Sequence, residues 1–120
     1  VRAYLNFGHT FAHAIESVQS FKGFNHGEAV GVGMVCAAKL SLLLGKINSQ
    51  EFDKIKSLIK KFNLPIKLPT NCEPARILKA MQSDKKSKDT TLRFIILDGI
   101  GKVKIVENVA KKKILNSLKI

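Results

Sequence analysis

The sequence predicts a mainly α-helical domain, a helical bundle with a small β-hairpin. Two observations predict it. Apolar residues recur at helical spacing through most of the 120 residues, and two short β-branched stretches near the C-terminus are separated by a glycine-rich turn. The length suits one domain, residues 1–120, and 45% hydrophobic residues are enough to form a core. This composition excludes a disordered or fibrous chain.

The first two predicted helices carry the most apolar part of the chain. The first covers 6–18, with apolar residues three and four positions apart. After a loop at 23–25, the second covers 26–44 and is apolar nearly all round, so we expect it at the centre of the bundle. Gly45 is expected to end it. Small residues in this helix would let neighbouring backbones approach closely: Gly31, Gly33, Ala37 and Ala38.

The middle of the chain predicts two further helices joined by an extended connection. Ser49 is expected to cap a third helix that runs to about residue 62. Pro65 and Pro69 bracket the connection. A short helix is then expected after residue 71 or 72, with Pro74 near its first turn, where proline is tolerated.

The C-terminal part predicts the hairpin and a last helix. The stretches 92–97 and 103–106 are rich in β-branched and aromatic residues, which favours strands. The intervening 98–101 reads Asp-Gly-Ile-Gly, a strong turn signal. The apolar residues of 109–118 are spaced for a closing helix, with lysines on its polar side.

The charge is strongly positive: 21 Lys and Arg against 9 Asp and Glu, formally +12. Such an excess is compatible with nucleic acid, an anionic membrane surface or small acidic substrates. Many lysines are interleaved with apolar positions as on a solvated helix face, and no aromatic residues that would stack bases accompany them, so we expect no nucleic-acid partner. The longest apolar stretch, 29–44, is shorter than the ~20 residues of a membrane span. We therefore expect no membrane partner. Two cysteines are too few for a disulfide framework, so we expect a cytoplasmic protein.

All three histidines lie in the first 26 residues. His9 and His13 are four residues apart, which places both imidazoles on one face of a helix. His26 opens the next helix, from which it can return to the same point. Neutral imidazole is the commonest metal ligand, but histidines that merely form hydrogen bonds are also common. The spacing therefore leaves a metal pair and a structural pair both open.

A polar ridge surrounds the first two histidines. On one continuous helix, Arg2 and Asn6 would lie on the same face as His9 and His13, and Glu16 would continue it. This ridge combines anion donors with metal ligands, and Glu16 is expected to orient an imidazole. The combination suits an anionic, polyhydroxylated substrate held beside a divalent cation.

Two histidine-containing segments, 5–16 and 26–34, read LNFGHTFAHAIE and HGEAVGVGM. Together they resemble the signature of the 3-dehydroquinate synthase family. The later DKK at 84–86, followed by 92–97 and GIG at 99–101, resembles the C-terminal segment of the same family. The resemblance covers essentially the whole chain and implies the helical C-terminal domain of a two-domain, dehydroquinate synthase-like enzyme. The N-terminal NAD-binding α/β domain of the family has no counterpart in these residues, so we expect an excised piece.

The resemblance implies an NAD-dependent lyase that uses zinc or cobalt, is usually a homodimer and is inactive as this piece alone. Its reaction converts the phosphorylated keto acid 3-deoxy-D-arabino-heptulosonate 7-phosphate to 3-dehydroquinate plus phosphate, in the shikimate pathway of aromatic amino acid biosynthesis. Two alternatives remain open. One is a related sugar-phosphate cyclase of the same superfamily, and the other is a basic nucleic-acid-binding module.

The resemblance also implies roles for individual residues. His9 and His26 correspond to two of three zinc ligands, the third being a glutamate upstream of Val1. His13 corresponds to a catalytic histidine near the substrate phosphate, a proton relay rather than a ligand, although spacing alone would pair it with His9 on the metal. The implied substrate contacts are Arg2, Asn6, His13 and one of Lys85 and Lys86.

Overall fold

The computed structural model describes residues 7–20, 22–89 and 91–120. These residues form five α-helices and one two-stranded antiparallel sheet. In chain order the elements are α1 (His9–Val18), α2 (His26–Leu43), α3 (Ser49–Lys61), α4 (Pro74–Lys88), β1 (Arg93–Leu97), β2 (Val103–Glu107) and α5 (Lys111–Leu118). The predicted helical bundle with a small β-hairpin is confirmed. None of the helices in this described part combines the length and apolarity that crossing a bilayer requires.

The second helix lies at the centre of the bundle, as its uniform apolarity predicts. It packs against α1, α3, α5 and β1, and most of its residues are buried. Asn25 caps its N-terminus: the Asn25 Oδ1 accepts the Glu28 N–H at 2.8 Å, and the Glu28 carboxylate accepts the Asn25 N–H at 2.9 Å. His26 is therefore the first residue of α2, and its imidazole takes no part in the cap.

Gly45 terminates α2, as predicted: the helix ends at Leu43, Leu44 is its C-cap and Gly45 follows. Gly45 has a φ of 74°, its N–H donates to Leu42 O at 3.0 Å, and the Lys46 N–H donates to Ser41 O at 2.9 Å. These two bonds satisfy carbonyls of the last turn in a Schellman motif, which requires a left-handed residue.

The N-terminal end of α1 packs tightly against α2 where Gly8 meets Gly33. A Cβ on Gly33 would overlap the carbonyl oxygen of Gly8 and would lie 3.0 Å from Ala12 N. The predicted role of a small residue at Gly33 is therefore confirmed. Gly8 itself precedes α1 with a φ of 83°, and residues 7 and 8 form a turn. The prediction of one helix over 6–18 is thus wrong at its start, because α1 begins at His9.

Two other helices differ from their predicted limits. Asn48, not Ser49, caps α3, because the Asn48 Oδ1 accepts the Glu51 N–H at 2.8 Å and the Glu51 carboxylate accepts the Asn48 N–H at 2.9 Å. α4 has Pro74 in its first turn, as predicted, but it begins at Pro74 instead of directly after residue 71 or 72, and it runs for 15 residues instead of being short. Its first half buries an apolar side, and its second half consists mainly of exposed polar residues.

The hairpin is joined to the bundle by apolar and polar contacts. Phe94 is buried against Phe11, with ring centroids 5.1 Å apart. Ser41, buried in α2, donates from Oγ to Ala37 O at 2.7 Å and accepts the Leu97 N–H at 2.9 Å. The strand pairing runs from Arg93 opposite Glu107 to Leu97 opposite Val103. The last helix follows and begins at Lys111, two residues later than predicted.

Candidate functional site

Helices α1 and α2 bring three imidazoles together. The His9 ring centroid lies 5.9 Å from that of His26 and 6.4 Å from that of His13, with interplanar angles of 85° and 76°. The first pair is separated by sixteen residues and a loop, so its proximity is a consequence of how α1 packs on α2. These three histidines, which the sequence singles out, form one cluster at the surface.

A carboxylate orients one of these imidazoles. His26 Nδ1 lies 3.3 Å from both Oε1 and Oε2 of Glu16. The Glu16 side chain is only 12% exposed, whereas that of His26 is 65% exposed, so the carboxylate is held in place and the ring faces solvent. With Nδ1 donating to Glu16, Nε2 is the nitrogen left to bind a ligand. The expectation that Glu16 orients an imidazole is met by His26.

Two of the three imidazoles fit the ligand chemistry of a zinc or cobalt ion. Zinc takes nitrogen, oxygen and sulfur ligands, with at least three from protein. Within the described ranges, no group of three His, Cys, Asp or Glu residues is placed to hold a metal. His9 and His26 fit as two nitrogen ligands, and the Glu16 contact favours His26 over His13 as the partner of His9. A zinc site at these two histidines would need a third protein ligand from outside the described residues.

Electrostatics keep His9 in the form that binds metals. Its pKa is lowered from the ordinary 6.5, first by partial burial and then by the neighbouring His26 and His13, while Glu16 acts in the opposite direction. A lowered pKa favours the neutral imidazole, which has a lone pair for a cation. The environment of His9 therefore suits a metal ligand at neutral pH.

A cleft of about 580 Å³ adjoins the imidazoles between α1, α4 and the hairpin. His9 and His13 line it from α1, and Lys85 lines it from α4. Lys86 is exposed and is absent from the lining. The sequence leaves open which of Lys85 and Lys86 contacts the substrate, and the position of Lys85 in the cleft favours Lys85.

Other charged residues of the cleft are missed by sequence reasoning. Arg93 lines it from β1, and Asp84 and Lys88 line it from α4. A signal for Arg93 exists in the sequence, because alternation along a strand places Arg93 and Ile95 on the same face, opposite the buried Phe94. The alternation does not reveal that this face lines the cleft beside His9 and His13.

The predicted polar ridge does not form a single helix. Arg2 and Asn6 lie outside the described residues, and the turn at Gly8 interrupts the helical path that would have aligned them with His9. Their expected role as substrate contacts therefore remains a prediction. The structure describes the half of the ridge formed by His9, His13 and Glu16.

Residues 1–87 match the family described as 3-dehydroquinate synthase C-terminal. The chain belongs to this family. It is 43% identical to the 3-dehydroquinate synthase of Thermodesulfovibrio yellowstonii over 97% of the chain and 33% of that protein. It is 46% identical to the enzyme of Nitrosomonas europaea over 98% of the chain and 32% of that protein. The chain thus spans about a third of the length of the curated relatives it matches.

Solved structures of the same superfamily share this fold. The 2-epi-5-epi-valiolone synthase of Streptomyces hygroscopicus, with NAD⁺ and Zn²⁺ bound, matches 95% of the chain with a TM-score of 0.82 and 25% identity, over 31% of its own length. A 2-deoxy-scyllo-inosose synthase complexed with carbaglucose-6-phosphate, NAD⁺ and Co²⁺ matches 95% of the chain with a TM-score of 0.77 and 27% identity, over 32% of its length. The predicted family and fold are confirmed. These neighbours hold the cofactors that the sequence resemblance implies.

Proposed function

We propose that this chain is the metal- and substrate-binding C-terminal domain of a 3-dehydroquinate synthase. The complete enzyme converts 3-deoxy-D-arabino-heptulosonate 7-phosphate to 3-dehydroquinate plus phosphate, in the shikimate pathway of aromatic amino acid biosynthesis. The observation that carries the proposal is the cleft lined by His9, His13 and Lys85, with His26 next to His9, in a chain of this family. An N-terminal α/β domain outside these residues would bind NAD, and a cytoplasmic homodimer is part of the same proposal.

The proposed cofactors are NAD and zinc or cobalt, as in the structural neighbours. When bound, the metal polarises substrate hydroxyl oxygens and NAD accepts and returns a hydride. His9 and His26 are the proposed ligands from this chain. Glu16 holds the His26 ring at Nδ1, which would leave Nε2 to bind the cation.

His13 is the proposed catalytic residue at the phosphate. Its side chain is exposed and lines the cleft, and its ring centroid is 6.4 Å from that of His9. During phosphate loss a proton leaves carbon and the carbon–oxygen bond to phosphate breaks, so negative charge grows on the leaving oxygen. An imidazole beside that oxygen can donate a hydrogen bond and relay the proton. Lys85 supplies a compensating positive charge, and Arg2 and Asn6 complete the proposed substrate contacts.

A second candidate is a related sugar-phosphate cyclase with the same cofactors. The similarity to the valiolone and inosose synthases favours it, because both share this fold and the second is complexed with a phosphorylated carbasugar. The proposed Arg2 contact distinguishes the two, since a guanidinium there would match a substrate carboxylate that a neutral sugar lacks.

The test is phosphate release by the complete enzyme from a panel of sugar phosphates, with and without a carboxylate. We expect turnover only with the carboxylate-bearing heptulosonate phosphate, and turnover confined to neutral sugar phosphates would establish the second candidate. His13→Ala is expected to retain the metal and to slow phosphate release by about 10²–10⁴-fold. Loss of metal from His13→Ala would instead make His13 a ligand.

A further inference from the structure

We propose that Arg93 is a phosphate-binding residue of this cleft and acts with Lys85 on the phosphoryl group of the substrate. The identity of the substrate rests on the proposed function. The existence of an anion site at Arg93 rests on the bond that joins β1 to α1 and on the cleft that β1 and α4 both line.

The first residue of β1 is held beside the imidazoles. The Thr10 Oγ1 donates to the carbonyl oxygen of Arg93 at 2.8 Å, and Thr10 follows His9 directly in α1. This bond joins the start of the strand to the helix that carries His9 and His13. Arg93 consequently lines the same cleft as both histidines.

The guanidinium is positioned with its terminal nitrogens available. Arg93 Nε donates to Glu107 Oε1 at 2.8 Å, across the strand pair in which these two residues are partners. Among the described residues, no acceptor bonds either terminal nitrogen of Arg93. The side chain is 65% exposed, so a ligand in the cleft can reach it. The planar guanidinium offers two parallel N–H donors, a geometry that matches phosphate oxygens.

The side chains that line the cleft carry more positive than negative charge, which favours an anion. Four charged side chains line it: Lys85, Lys88, Arg93 and Asp84. Asp84 Oδ1 lies 3.4 Å from Lys88 Nζ, so these two neutralise one another. Lys85 on α4 forms no ion pair with a described residue. Arg93 on β1 is paired with Glu107 through Nε but keeps its terminal nitrogens, so cationic donors line the cleft on two walls. A phosphoryl group, with three acceptor oxygens, can bond to both walls at once, whereas the two oxygens of a carboxylate would be satisfied by the guanidinium alone.

Inorganic phosphate, the product of the proposed reaction, serves as the probe. Its inhibition constant and its binding by calorimetry are measured on the complete enzyme carrying Arg93→Met, Arg93→Lys or Arg76→Met. Arg76 is the matched control because it is exposed on α4, bonds through Nη1 to Asn71 O at 2.9 Å and does not line the cleft.

Arg93→Met is expected to weaken phosphate binding by about 10- to 100-fold, the range of charge-assisted hydrogen bonds. Arg93→Lys keeps the charge but loses the paired donors, so a loss of about 3- to 10-fold is expected. Arg76→Met is expected to stay within about 2-fold of the unsubstituted enzyme. Equal phosphate binding by all four proteins would overturn the inference.

The two proposals fail in different ways. Normal synthase turnover with unchanged phosphate inhibition in Arg93→Met and Arg93→Lys would remove the role of Arg93 and leave the proposed function intact. Phosphate binding that depends on Arg93, in an enzyme that does not make 3-dehydroquinate, would support the anion site and refute the proposed function. If Arg93→Met unfolds because Glu107 loses its partner, the Arg93→Lys variant still decides, since it retains a cation opposite Glu107.

Discussion

Replacing Gly33 by alanine tests how strongly the site depends on the contact between α1 and α2. A Cβ at Gly33 would overlap the carbonyl oxygen of Gly8, lie 3.0 Å from Ala12 N and lie 3.2 Å from Ala12 Cβ. Two of these three neighbours are backbone atoms, so a change of side-chain rotamer cannot relieve the overlap. α1 must therefore move away from α2, by about 1 Å if ordinary van der Waals separation is to be restored.

The expected magnitude combines two opposing effects. Inserting a methyl group into packed structure costs about 1–3 kcal/mol, while alanine favours the helix over glycine by about 1 kcal/mol. We expect the free energy of unfolding to fall by about 1–2 kcal/mol. Movement of α1 also separates His9 from His26, and metal–ligand distances tolerate only about 0.2 Å, so zinc affinity should fall as well.

Chemical denaturation followed by circular dichroism measures the stability, and a chelator competition measures the zinc affinity. Gly27→Ala in the same helix is the control, because its Cβ would meet only Asn25 Oδ1, at an ordinary 3.5 Å. This control should be as stable as the unsubstituted protein or slightly more stable. A Gly33→Ala protein with unchanged stability and unchanged zinc affinity would refute the view that this backbone contact sets the positions of the imidazoles.

Two further predictions concern the imidazoles. Glu16→Ala is expected to lower zinc affinity by about 10- to 100-fold, because His26 loses the carboxylate that holds Nδ1, and an unchanged affinity in chelator competition would contradict this positioning role. In the metal-free protein, the pKa of His9 is lowered from 6.5 by partial burial and then by His26 and His13. The folded state therefore binds this proton less readily than the unfolded state. As a result, the contribution of His9 to the free energy of unfolding is fully present above pH 6.5 and is lost as the pH falls through the lowered pKa. A histidine NMR titration checks this, and a His9 midpoint at or above 6.5 would contradict it.

The main features of the fold are predictable because local and global signals agree. The uniform apolarity of α2 predicts its central place, and Gly45 and Gly33 both have the roles that their size and freedom suggest. The cap of α3 is a different case, since Asn48 and Ser49 are both good capping residues. Glu51, three positions after Asn48, is the signal that distinguishes them. The length of α4 is harder to predict, because lysine-rich turns continue a helix by propensity without any apolar pattern.

The candidate site is predictable only where its residues are close in sequence. Helical spacing places His9 beside His13, and the structure has this pair. The same spacing does not reveal that His26 lies at 5.9 Å from His9, because that distance depends on the crossing of two helices. The order of the elements allows His26 to return to this point, but only the family resemblance assigns it to the same site as His9. Arg93 is more than 80 residues from Thr10, and nothing in either local pattern indicates that the two residues are bonded.

The attachment of the first strand has a consequence for adapting this domain to other ligands. β1 is bonded to α1 through Thr10 and to α2 through Ser41, the two helices that carry the imidazoles. The hairpin is thus bonded to the same two helices that carry the histidines. The opposite wall of the cleft is supplied by α4, whose buried Met81 lines it. A substitution at Met81 would change the volume of the cleft that is available to a bulkier anion. The spacing of the imidazole nitrogens would stay the same, because α1 and α2 set it.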